Sequence, residues 1–207
     1  MPPILLEAIQ RRYACRRFVA DQHKIGGHHG ANDQPVAAAE LAVLREAGRL
    51  APSAFGLEPW RFITLEDGAQ RAAVARACYD QPAAASAAAF IVIVALVAAL
   101  DPDSDYVRAR FEAEAGGQDI ASTDAAYRAF YRADSIAAWA QGQCNFAAAH
   151  LLLQASQLGL GSCPIGGFDT AALAAALRVP PGETPALVIA LGHCAHAAPQ
   201  RMRKPAD

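Results

Sequence analysis

The stretch over 136–158, IAAWAQGQCNFAAAHLLLQASQL, constrains the fold more than any other part of the chain. It is rich in alanine and leucine and free of proline, so it reads as one long helix, closed by Gly159 and Gly161. Small and apolar residues occupy every side of it, and a helix of that kind has to be covered on several sides. Two further runs, FIVIVALV and PALVIALG, are short, apolar and rich in β-branched residues, which predicts strands buried on both faces. RFITL, following Trp60, has the alternation of another strand. Apolar spacing predicts helices over about 3–14, 36–50 and 68–78. Helices and strands are thus interleaved in an α+β arrangement around one long central helix.

No repeat, linker or low-complexity tail divides the 207 residues, and a chain of this length suits one domain spanning 1–207. The composition, 54% apolar and 18% charged, is that of a packed protein rather than a disordered one. The run over 83–100, AAASAAAFIVIVALVAAL, reaches the length of a membrane span. Half of it is alanine and acidic DPDSD follows it rather than a basic anchor, so it is expected to lead into a buried strand. With 18 Lys and Arg against 20 Asp and Glu, the net charge of −2 supplies no general field for nucleic acid or an anionic membrane. The five cysteines are odd in number and contain no C-x-x-C pair, which argues against a disulfide framework or a zinc site. They read as mostly buried thiols in a reducing compartment, and with no recognisable export leader the expected location is cytoplasmic.

Several candidate sites carry little chemistry. The stretch HKIGGHHGANDQP holds three histidines, but no carboxylate or cysteine pattern makes them a metal site, and it reads as an exposed loop. Asp101, Asp103 and Asp105 alternate without the glycine and distal glutamate of a calcium loop, so a surface turn is expected. Ser53 and Cys163 lack the surroundings of a nucleophile elbow. Trp60 and Trp139 fall in strand and helix patterns and are expected in the core. Neither G-x-G-x-x-G nor a Walker A loop occurs, so a nucleotide-like ligand needs another kind of site. Segment 101–135 is charged, aromatic and without a clear period, which suggests a mobile excursion. Two basic clusters remain: Arg11, Arg12, Arg16 and Arg17 near the start, and Arg201, Arg203 and Lys204 at the end. Guanidinium forks match phosphate oxygens, so the clusters are either solvated terminal charges or the two halves of a phosphate clamp.

Four segments in order, RRYACRRF, APSAFGLEPWRFI, ASQLGLGSCPIGGFD and LGHCAHAAPQRMRKP, resemble the motifs of the nitroreductase family from one end of the chain to the other. The resemblance implies a central mixed or antiparallel sheet flanked by helices, with the long helix at a homodimer interface. It implies bound FMN, with NADH or NADPH as co-substrate and a small-molecule electron acceptor. FMN would be held by Arg12, Tyr13, Ala14 and Arg16 at the phosphate and pyrimidine edge, with Arg201 and Arg203, in an extension over about 193–207, completing the phosphate site. Pro52, Ser53, Ala54 and Phe55 would reach the flavin of the other subunit. Pro164, Ile165, Gly166 and Gly167 would pass beside the flavin ring, while Gln81 and Gln143 would meet the isoalloxazine and ribityl groups. No side chain is then required as a catalytic nucleophile, since flavin N5 carries the hydride. Segment 101–135, with Tyr106, Phe111, Tyr127, Phe130 and Tyr131, would cover the acceptor site. Two departures stand out: Gly166 occupies a position that is often glutamate, and Arg16 one where lysine is common. Other flavin chemistry on the same scaffold, such as dehalogenation or dehydrogenation, and a non-catalytic flavin-storage role are the alternatives.

Overall fold

The computed structural model describes residues 4–19 and 35–204. The histidine-rich loop over 23–34 lies outside the described residues. Four strands, β1 (Trp60–Leu65), β2 (Ala89–Ala95), β3 (Gly161–Ile165) and β4 (Thr184–Gly192), form one sheet in the order β1-β2-β4-β3, every neighbouring pair antiparallel. The strand expected at FIVIVALV is β2, and it is buried at every position because β1 and β4 flank it and helices cover both faces. Its alternate side chains point into two cores. Ile91 and Ile93 join Ile189 and Leu191 on one side, and Phe90, Val92 and Val94 join Val188 and Ala190 on the other.

The first face is covered by α2 (Ala38–Arg49) and α7 (Ile136–Gln157), the second by α3 (Gly68–Ala77), the short α4 (Pro82–Ala85) and α8 (Thr170–Leu177). The long helix read from the sequence is α7. It packs on α2, on the N-terminal α1 (Ile4–Arg11) and on β2, β3 and β4. Gly48 on α2 allows a close approach, since a Cβ there would lie 2.8 Å from Phe62 Cζ and 3.2 Å from Leu151 Cγ. The apolar run over 83–100 is divided between α4, β2 and a short 3-10 turn, and no helix among the described residues is long and apolar enough to cross a membrane.

Two features depart from the sequence reading. Segment 101–135 carries two helices, α5 (Asp105–Ala115) and α6 (Ala121–Phe130). Ser104 caps α5 by accepting from the Val107 N–H, and the fully buried Tyr127 of α6 donates its hydroxyl to Leu100 O at 2.7 Å. Their apolar residues are sparse because few of them, Val107, Phe111 and Tyr127, reach the core, which leaves the helical period faint in the sequence. The second feature is β3, a strand the sequence does not announce. It contains Pro164 and sits at the sheet edge, the location where a residue without an N–H is tolerated.

Candidate functional site

The outer edge of β3 is taken by the segment that follows α1. Cys15 N–H donates to Ser162 O at 3.0 Å, and Ala14 bridges Ser162 in parallel fashion. Farther along, Val19 N–H donates to His193 O and Ala195 N–H to Arg17 O, which ties the C-terminal extension to the same segment. Tyr13 donates its hydroxyl to His196 O at 2.8 Å. The two ends of the chain therefore meet along one edge. A cavity of about 420 Å³ opens beside this seam, lined in part by Arg11, Arg12, Tyr13, Ser162 and His193.

Both basic clusters converge here. Burial lowers the pKa of Arg12, and repulsion from Arg201 and Arg203 lowers it further. Among the described residues no carboxylate forms a salt bridge with any of the three. Some arginines elsewhere are matched with carboxylates: Arg61 with Glu183, Arg110 with Glu58, and Arg128 with Asp103 and Asp124. Like charges gathered without a counter-ion favour a bound anion. Arg201 Nη2 donates to Ile9 O at 2.8 Å, to Gln10 O at 3.2 Å and to Arg12 O, whereas Arg203 donates only to the neighbouring Met202 O. Arg16 is exposed and close enough to Cys163 to oppose the rise in thiol pKa that burial causes there.

Pro164 and Ile165 complete β3, and Gly166 and Gly167 follow as an exposed turn. Gln81 Nε2 donates to Gly167 O at 2.7 Å, so the YDQP segment and this turn are held together. Tyr79 and Asp80, just before Gln81, take φ of 56° and 48°, a left-handed conformation uncommon for residues with side chains and concentrated at functional loops. A Cβ on Gly166 would meet nothing nearer than Leu187 Cδ1 at 3.9 Å, so packing does not impose glycine there.

The remaining candidates form a second group. Pro52 and Ala54 are exposed on a loop, Ser53 Oγ accepts from Glu58 N–H at 2.7 Å, and Ala54 N–H donates to Gln143 Oε1 at 2.9 Å. Phe55 has φ 59° and packs against Tyr127 and Phe130. The sequence did not mark Arg110, and it marked Tyr106 only as a cover for the acceptor site rather than as a residue that holds this loop. Arg110 donates to Gly56 O at 2.9 Å and pairs with Glu58 at 2.7 Å, and Tyr106 donates to Leu57 O and Glu58 O. Both come from α5, about fifty positions away, so no local spacing could reveal them. Among the described residues no group of His, Cys, Asp and Glu is arranged to hold a metal ion.

Helices on both faces of an antiparallel sheet, with Arg12, Arg201 and Arg203 gathered near its edge strand, define an α+β protein with a local concentration of positive charge. The nitroreductase family model matches residues 31–193, and this chain belongs to the nitroreductase family, a family of oxidoreductases. An NADH dehydrogenase of Thermus thermophilus is 32% identical over 176 residues, covering 84% of each chain. A Staphylococcus saprophyticus relative with a provisional NAD(P)H nitroreductase name is 26% identical over 178 residues, 82% of this chain and 76% of its own. Among solved structures, a nitroreductase-like protein of Streptococcus mutans superposes with a TM-score of 0.79 at 20% identity, covering 97% of this chain and 93% of the other. A protein of Exiguobacterium sibiricum, solved in complex with FMN, superposes at 0.75 with 19% identity, covering 97% and 93%. The fold expected from the sequence is the one observed, with the sheet antiparallel throughout.

Proposed function

We propose that the protein binds one FMN per chain at the edge of β3 and uses it to pass electrons from NADH or NADPH to nitroaromatics, quinones or similar small acceptors. The observation that carries this reading is the convergence of Arg12, Arg201 and Arg203, free of carboxylates, on the strand that ends in the Pro164–Gly167 turn. The residues fit the cofactor: fixed positive charge suits a terminal phosphate, and the turn with Gln81 offers polar groups for a ring edge. The names of the curated relatives and the FMN complex of the Exiguobacterium protein support the same reading.

Bound FMN would supply the two-electron redox chemistry. Arg12 and Arg203 would bind the phosphate, with charge-assisted contacts strengthened by their partial removal from water. The amides of Gly166 and Gly167 make no backbone hydrogen bond among the described residues and are free to donate to the ring. Glycine at position 166 removes a carboxylate as a local proton source while keeping that amide. Nicotinamide and acceptor would occupy one face in turn, giving ping-pong kinetics. Pro52, Ser53, Ala54 and Phe55 would complete the site from the partner subunit, with Gln143 fixing the loop through Ala54.

Purified protein should be yellow and hold about one FMN per chain, and anaerobic titration with NADH or NADPH should bleach it. Colourless protein that also refuses added FMN would overturn the reading. Full reduction with no turnover of any nitroaromatic or quinone would point to other flavin chemistry, and tight FMN binding without reduction to a storage role.

A further inference from the structure

We infer that the two late arginines do different work: Arg201 is a positioning residue that clamps the end of α1 and so sets Arg12, while Arg203 is the one left to meet the ligand. This rests on the FMN-phosphate reading above. Sequence alternation makes the pair look equivalent, since 201 and 203 share a face of an extended segment. Their hydrogen bonds separate them.

Arg201 Nη2 reaches Ile9 O, Gln10 O and Arg12 O, carbonyls at and just beyond the last turn of α1. A helix leaves its final carbonyls without intrahelical donors, and its C-terminal end carries partial negative charge. A guanidinium placed there satisfies both, so Arg201 is already engaged by protein. Arg12 lies immediately after α1, with its own N–H donating to Ala8 O at 3.0 Å. Fixing the carbonyls of residues 9, 10 and 12 therefore fixes the backbone from which the Arg12 side chain projects. Apart from Arg201, α1 is held by its packing on α7, where Ala8 is its one buried residue, and by Arg11 Nη2 donating to Gln157 Oε1 at 3.3 Å, while Ile4, Leu5 and Ile9 are exposed. Ser156 Oγ of α7 adds a hydrogen bond to Ala8 O at 2.9 Å. Arg203, by contrast, donates only to the carbonyl of its neighbour and remains exposed.

The experiment compares the full-length parent with Arg201→Ala, Arg201→Lys and Arg203→Ala. Hydrogen exchange of the α1 amides is measured before FMN is added, and affinities for FMN and riboflavin are then titrated. Riboflavin lacks the phosphate, so the ratio of the two affinities reports phosphate recognition. Arg203→Ala should leave α1 exchange as in the parent and cut the FMN preference roughly ten- to a hundredfold, the size of one charge-assisted contact. Arg201→Ala should speed α1 exchange and also reduce the preference through Arg12, and Arg201→Lys, which keeps a cation at the carbonyls, should recover part of both. Parent-like α1 exchange in Arg201→Ala would overturn the assignment, whatever happens to FMN. So would faster exchange with an unchanged FMN preference, because Arg12 would then not depend on the clamp. A parent that does not prefer FMN to riboflavin would instead strike the phosphate reading, and the α1 result would still stand by itself.

Discussion

Cys15 sits in RRYACRRF between two pairs of arginines, where an activated thiolate would be a natural guess, yet it is buried against the sheet edge with Cys194 and Tyr13 beside it. Burial pushes its pKa up to about 12, that of Cys144 to about 12 and that of Cys78 to about 11, each from an ordinary 9.0. Cys15, Cys78, Cys144 and Cys163 are buried and Cys194 is half-buried, in line with the mostly buried thiols that the sequence suggested. A consequence for stability follows in sign. The folded chain keeps these protons more tightly than the unfolded chain, so the contribution is complete below about pH 9 and is lost as pH rises toward 12. Denaturant midpoints measured from about pH 8 to 11 should therefore fall less steeply in a Cys15→Ala, Cys144→Ala double variant than in the parent, and identical slopes would refute the account. The same burial that was legible for cysteine was not legible for arginine. That Arg12 and Arg201 would be neighbours requires both ends of the chain to reach one strand, and nothing near either residue encodes that distance.

At the level of elements, apolar spacing and composition found α1, α2, α3, α7, β1, β2 and β4: α1 and α2 through apolar residues at helical spacing, α7 through a long run of helix formers without proline, and β2 and β4 through short β-branched apolar runs. They missed β3, whose five residues carry a proline, and they left α5 and α6 as an irregular excursion. Alanine-dominated α8 gives no period because alanine reads as apolar on every face. The excursion has a structural task that composition could not show. Its Arg110 and Tyr106 hold a loop in which Phe55 and Glu58, flanking Gly56 and Leu57, have positive φ, a strained conformation for residues with side chains that persists under outside restraint. Replacing Arg110 with Met should cost about 1–2 kcal/mol, held below the range for fully buried pairs by the partial exposure of Arg110 and Glu58. It should also raise amide exchange through residues 54–58 more than elsewhere. Urea titration and exchange mapping test both. A destabilisation spread evenly over the chain would mean that α5 packs without controlling the loop.

On the scale of the whole molecule, α7 poses the question that its sequence raised. One chain covers it with α1, α2 and the sheet, yet Phe146 remains 49% exposed beside small residues at 138, 142 and 149. Ile4 and Leu5 on α1 and Leu50 after α2 are also uncovered. A two-fold pairing of subunits over this apolar surface would finish the covering that the composition of α7 demands, and would bring the Ser53 loop of one chain to the flavin of the other. Sedimentation should show a dimer at micromolar concentration, with FMN and activity lost together as dilution dissociates it. A stable, FMN-loaded, active monomer would remove the cross-subunit role of Ser53. The sequence by itself determined the α+β class, the buried strands and the long helix, because runs of helix formers and of β-branched apolar residues are written locally. It also carried the family, in four short motifs. Only the tertiary structure decided that the terminal arginines share one edge, that Arg201 is spent on α1 while Arg203 is not, and that α5 holds the loop at Phe55. These depend on contacts between residues fifty to two hundred positions apart, and such contacts leave no period for a sequence to display.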